Sequence, residues 1–162
     1  MNVLAIDPGN VLSGWCILDD QTLEPLNFDK SLNDDVLALL ENREGMTPPD
    51  MVVIERVASY GMAVGKEVFL TCEWIGRFAQ KAEDLGIPVD YLYRRQEKLH
   101  ICGDSRAKDG NIRIALIDRF AKHDTKNGKG TKKNPDWFYG FRADIWQAYA
   151  LGIVFIETKL NG

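Results

Sequence analysis

Asn2-Val3-Leu4-Ala5-Ile6-Asp7-Pro8-Gly9-Asn10, followed by Ser13-Gly14-Trp15-Cys16-Ile17-Leu18, decides the fold. An apolar run ends in an acid, a Pro-Gly turn reverses the chain, and a second apolar run starts at Gly14, the pattern of two paired strands. Asp7 then stands at a strand end, where Pro8 and Gly9 take the backbone out of the sheet. A carboxylate so placed is held by rigid structure and faces an open edge, which suits a metal ligand; an Asp that only starts a turn has the same local signature.

Outward from this hairpin, a weaker strand is expected near Leu26 to Phe28. A short helix capped by Asn33 or Ser31 follows, carrying Val36, Leu37, Leu39 and Leu40 and ending near Gly45. Met51-Val52-Val53-Ile54-Glu55 is an unbroken apolar run that suits a buried central strand, and it too ends in an acid. If the two strands are neighbours, Asp7 and Glu55 lie side by side at one edge and can share a divalent cation that offsets their repulsion.

Residues 56–66 lead into a long helical pattern that ends before Gly86-Ile87-Pro88. Val68, Phe69, Cys72, Ile75, Gly76 and Ala79 mark its apolar face. Core packing accounts for that face, while Phe69, Trp74 and Phe78 also offer aromatic surface for a homodimer. Val89 to Tyr93 reads as a further strand. Residues 103–113 form a polar turn feeding a helix with Ile112, Leu116, Ile117 and Phe120 inward, and Arg106 and Lys108 sit where that helix begins, suited to phosphate. Lys122 to Lys133 reads as a mobile basic loop. The last element, Ile145 to Phe155, is apolar almost all round and therefore a buried helix. Asp144 in its first turn is tolerated by the helix dipole, and a cation shared with Asp7 and Glu55 would explain an inward carboxylate. Gln147 projects from the same face as a neutral oxygen ligand or a hydrogen-bonding group.

The formal net charge of −4 is unevenly distributed. Residues 1–50 hold 2 Lys and Arg against 10 Asp and Glu, whereas residues 94–142 hold 13 against 6. The segregated positive charge suits a face for a polyanion, although solvated basic loops give the same count. With 162 residues and 45% hydrophobic content the chain suits one compact domain over 1–162. No signal peptide, membrane span or repeat is evident, so a cytoplasmic protein is expected. Cys16, Cys72 and Cys102 form no CxxC pair and are expected to be core thiols, not a disulfide or zinc framework.

Asp7-Pro8-Gly9 in a first hairpin, Val52-Val53-Ile54-Glu55, the Lys98…Gly103…Ala107-Lys108 segment and the terminal helix with Asp144, in this order, resemble RuvC-type Holliday junction resolvases, particularly the bacteriophage-encoded branch. The resemblance implies an α/β, RNase H-like fold with a mixed five-stranded central sheet flanked by helices. It also implies a homodimer that nicks branched DNA, the four-way junction above all, with Mg²⁺ or Mn²⁺, in DNA recombination and repair. Carried over by position, Asp7, Glu55 and Asp144 are the metal-binding catalytic acids, and Lys98 and Lys108 lie in the DNA-contacting region, to which the basic residues Arg106, Lys132 and Lys133 add. Bacterial members generally carry two acids three residues apart on the last helix, where this chain has Asp144 and then Gln147. Three carboxylates completed by water and phosphate, a fourth acid such as Asp19 or Asp20, or a non-catalytic, junction-binding member all remain open. Tyr60 and Met62, close after Glu55, are either wedges for an opened junction or core residues. Asp7-Pro8-Gly9 with Ser13-Gly14 also resembles the phosphate-binding hairpin of actin-like ATPases and sugar kinases, which need two such lobes.

Overall fold

The computed structural model describes residues 1–162. Its centre is β1, Asn2–Asp7, flanked by antiparallel β2, Leu12–Asp19, and by parallel β4, Met51–Arg56. Antiparallel β3, Pro25–Leu32, extends one edge and parallel β5, Val89–Tyr93, the other, so the five-stranded order is β3-β2-β1-β4-β5. The mixed five-stranded sheet that the resemblance implied is therefore present. No helix is long and apolar enough to cross a membrane.

The period of two along a strand distributes side chains to two cores. Val3, Ala5, Val53, Cys16 and Leu18 enter one, with the last helix α5, Ile145–Phe155, and with α4, Asp109–Phe120. Leu4, Ile6, Val52, Ile54 and Trp15 enter the other, under α1, Asn33–Ala38, and α2, Lys66–Asp84. Both faces of β1 and β4 are thus covered, which explains their unbroken apolar runs. Every residue of α5 is buried, as its sequence predicts. The Tyr149 hydroxyl donates to Leu23 O at 2.9 Å and accepts from Trp137 Nε1–H at 3.0 Å, so this buried phenol is satisfied both as donor and as acceptor.

Several expectations need correction. The helix after β3 is only six residues long, and neither proposed cap caps it. Ser31 Oγ accepts the Trp15 indole N–H, while Asn33 reaches back to the first hairpin, donating to Gly9 O at 2.9 Å and accepting from the Ser13 hydroxyl. Ser13 Oγ in turn accepts the Gly9 N–H, so the turn after Asp7 is pinned by side chains from β2 and α1. The apolar stripe of α2 is split: Ile75, Phe78, Ala79 and Ala82 are buried, whereas Phe69, Cys72 and Gly76 face outward. Cys72 is therefore not a core thiol; Cys16 is buried and Cys102 partly so, all three being free. A helix missing from the sequence reading, α3, Arg94–Cys102, follows β5 without a loop.

The basic segment after α4 is also more ordered than expected. The buried carboxylate of Asp136 accepts the backbone N–H groups of Lys122, His123, Asp124 and Trp137 at 2.7–2.8 Å, and Asp124 accepts those of Asn127 and Gly130. Burial alone would push the Asp136 carboxyl up; the backbone donors outweigh it and hold it well below the usual carboxylate range. A depressed folded-state pKa stabilises the fold above the unfolded value of about 3.9, and that contribution is lost as pH falls through the folded value. Asp136→Asn is expected to cost about 2 kcal/mol in urea unfolding at pH 7. The gap to wild type should narrow as pH drops below about 4; a gap independent of pH would contradict the anchoring role.

Candidate active site

The parallel pairing of β1 and β4 determines the site. Ile6 pairs with Ile54, so the next residues, Asp7 and Glu55, emerge together at the C-terminal ends of adjacent strands. Strand alternation continues the Val3-Ala5 and Val53 series, which turns both acids to the α5 side of the sheet. Arg56 pairs with Tyr93 at the end of β5, so the first residue of α3, Arg94, arrives at the same edge. Asp7, Gly14 and Lys30 lie in register across β1, β2 and β3.

Gly14 lets the last helix reach this row. A Cβ there would stand 2.8 Å from both the Cβ and the carbonyl oxygen of Asp144, so only glycine admits the N-terminus of α5 so close to β2. Asp144, the residue before α5, lies beside Gly14 and near enough to Asp7 for its charge to act on that carboxyl. The three expected acids are thus gathered at one sheet edge from β1, β4 and the start of α5.

Two basic side chains hold them. The Arg94 guanidinium donates Nε–H to Glu55 Oε1 at 2.9 Å, Nη2–H to Glu55 Oε2 at 3.1 Å and to Asp7 Oδ1 at 3.4 Å, and Nη1–H to Asp109 at 3.0 Å. Lys30 Nζ lies 2.8 Å from Asp144 Oδ2. With these two cations in place, no three acidic, His or Cys side chains are arranged to grip one metal ion. The donor chemistry nevertheless fits a hard dication: the acids gathered there offer only oxygens, and Arg94 already marks a position where positive charge is required. Burial first, then the charge of Glu55, raises the Asp7 carboxyl well above its usual range, and Arg94 only partly opposes this.

Glu97, one turn into α3, was missed by the sequence reading. It is fully buried, neither carboxyl oxygen has a hydrogen-bond donor, and the charges of Glu55, Arg94 and Asp7 all act on it. Burial and then Glu55 raise its carboxyl well above the usual range. The available signal was Gln96, three residues after Tyr93, whose side chain accepts the Tyr93 N–H at 2.8 Å as a helix cap. Recognising a helix from Arg94 would have put Arg94, Glu97 and Ile101 on one face. Gln147 is buried with Oε1 unpartnered. Asp19 and Asp20 lie at the far end of β2, where Asp20 binds the N-terminal ammonium at 2.7 Å and Asp19 accepts from Gln21 and Thr22, so neither joins the cluster.

The basic candidates divide into two groups. Lys98 and Arg106 line a cleft of about 370 Å³ with Tyr60, Arg94, Arg95 and Ser105, and Lys98 shares an adjoining cleft with Glu55 and Asp109. Lys108 caps α4 beside Asp109; its own N–H is taken by Asn111, at 2.9 Å. Arg106 precedes that helix at the rim of the cleft, its exposed guanidinium paired with Asp104, Nε lying 3.2 Å from Oδ1. Lys132 and Lys133 are exposed in the separate segment anchored by Asp136. Tyr60 and Met62, 60% and 72% exposed, are not core residues; Tyr60 has φ +48° in the loop after β4.

No protein-family model matches the sequence, and no curated protein sequence matches it either. Among solved structures, the chain is similar to Thermus thermophilus RuvC, with a TM-score of 0.69 and 15% identity over 99% of this chain and 97% of that one. It is equally similar to T. thermophilus RuvC in complex with Holliday junction substrate, at 0.68 and 16%, over 99% and 96%. The chain has the RNase H-like fold of RuvC.

Proposed function

We propose that the chain, as a single domain, is a structure-selective endonuclease that resolves four-way DNA junctions and other branched DNA by divalent-metal-dependent hydrolysis. The observation that carries this reading is the meeting of Asp7, Glu55 and Asp144 at one sheet edge, beside a basic cleft, on a fold shared with a protein solved on a Holliday junction. When bound, Mg²⁺ or Mn²⁺ would activate a water and stabilise the leaving oxygen of the phosphodiester. Asp7 and Glu55 are held by the rigid ends of β1 and β4, and Asp144 by its contact with Gly14, so their carboxylates are positioned before substrate arrives. Lys98, Arg106 and Lys108 anchor the DNA backbone beside them, while Lys132 and Lys133 reach a more distant phosphate. Tyr60 and Met62 enter the opened junction.

The partner is a second copy of the chain. Phe69, 61% exposed, with Cys72 and Gly76 forms an outward apolar stripe on α2. On this reading the activity serves recombination and repair of DNA in the cytoplasm of a host cell. A second reading, a branched-DNA binder without cleavage, is favoured by Gln147 in place of an acid and by the occupation of the carboxylates by Arg94 and Lys30. The single sheet gives one lobe, half of what an actin-like or sugar-kinase site uses.

Incubating a labelled four-way junction with Mn²⁺ separates the two readings: paired nicks support the nuclease, and retention without nicks supports the binder. Asp7→Asn, Glu55→Gln and Asp144→Asn are each expected to lower nicking roughly a hundredfold or more with junction binding retained; full activity in any one removes that residue from the site. Replacing Lys132 and Lys133 by Ala should weaken binding and flatten its log-salt slope by roughly one to two units; an unchanged slope would take them off the DNA. Phe69→Glu is expected to convert a dimer to a monomer in sedimentation, and a dimer that persists would place the interface elsewhere.

A further inference from the structure

We infer that Glu97 is the fourth carboxylate of the metal site, delivered by α3 in place of the acid absent at Gln147. The inference rests on the nuclease reading and assigns a ligand that neither the strand-end acids nor the last helix supplies.

Glu97 occupies a position that packing alone would give to an apolar residue. It is fully buried, and Ile101, one turn further along the same helix face, packs against the α5 core. An unpaired carboxylate in such a place is costly unless it faces a cation or gives up its charge. Every donor that Arg94 directs at an acid goes elsewhere, to Glu55, Asp7 and Asp109, although Arg94 and Glu97 lie on the same side of α3. No N–H or hydroxyl reaches Glu97, and its carboxyl lies within hydrogen-bonding reach of the Glu55 carboxyl, a pair that holds together by sharing a proton or a cation. The charged groups nearest to it are Glu55, Arg94 and Asp7, so it belongs to the same cluster as the strand-end pair.

A hard dication accepted between Asp7 and Glu55 would therefore meet the Glu97 carboxylate on the α3 side and Asp144 on the α5 side. Arg94 is the counter-ion that balances these acids when no dication is bound. The arrangement also accounts for Gln147: with an acid arriving from α3, the last helix needs only one.

The test is Mn²⁺ binding, followed by electron paramagnetic resonance titration of the full chain without DNA. Glu97→Gln, nearly isosteric, is expected to weaken Mn²⁺ affinity at least tenfold and to remove most of the Mn²⁺-induced rise in melting temperature, while the metal-free protein melts no lower than wild type. Glu97→Leu should behave in the same way, whereas Glu97→Asp should recover part of the affinity. Unchanged Mn²⁺ affinity in the Gln and Leu variants would overturn the inference, and if wild type still nicks junctions the nuclease reading stands without it. If Glu97→Gln does not fold, Glu97→Asp decides: affinity identical to wild type overturns the assignment, and a measurable loss supports it. Wild-type protein that neither binds Mn²⁺ nor nicks would remove the nuclease reading and the inference together.

Discussion

The fork of hydrogen bonds from Arg94 to Asp7, Glu55 and Asp109 is the interaction on which the rest of the structure depends. Two parallel strands end in acids at the same edge, and their mutual repulsion requires positive charge nearby. In the protein alone that charge comes from the first residue of α3, while Lys30 serves Asp144 from β3. The surrounding fold brings these parts together. The Ser13–Asn33–Gly9 bonds fix the turn after Asp7, Gly14 lets α5 approach, and the direct junction of β5 with α3 delivers Arg94 and Glu97.

This arrangement differs from an ordinary surface cluster of acids in its burial. Burial and mutual charge raise the carboxyls of Asp7 and Glu97, so the edge holds more acid than its own two cations satisfy. A polar cluster kept at such expense inside an α/β core is the signature of a functional site more than of a stabilising one. The residues give this edge a distinct composition, with Gln147 buried on the last helix and Glu97 where packing alone would favour an apolar residue.

Much of this was legible in the residues. Asp7 before Pro-Gly and Glu55 after Val-Val-Ile marked two strand ends, and the apolar run from Ile145 marked a buried helix led by Asp144. What stayed hidden has physical reasons. The boundary between β5 and α3 carries no glycine, proline or polar turn, and Arg94-Arg95-Gln96-Glu97-Lys98 looks like solvated charge until tertiary packing buries one of its members. Lysines and glycines after α4 disguised a segment whose order comes from a single buried carboxylate, Asp136, twelve or more residues from most of its partners. Asn33 was a plausible cap by type, yet a long-range contact with the first hairpin claimed its side chain.

The account stands or falls on whether this sheet edge takes up a dication. Anomalous diffraction from crystals soaked in Mn²⁺ measures that directly. The account predicts a manganese peak between the carboxylates of Asp7 and Glu55, with the Arg94 guanidinium withdrawn from both. Saturating Mn²⁺ with no peak there, and Arg94 still bonded to the two acids, would contradict it.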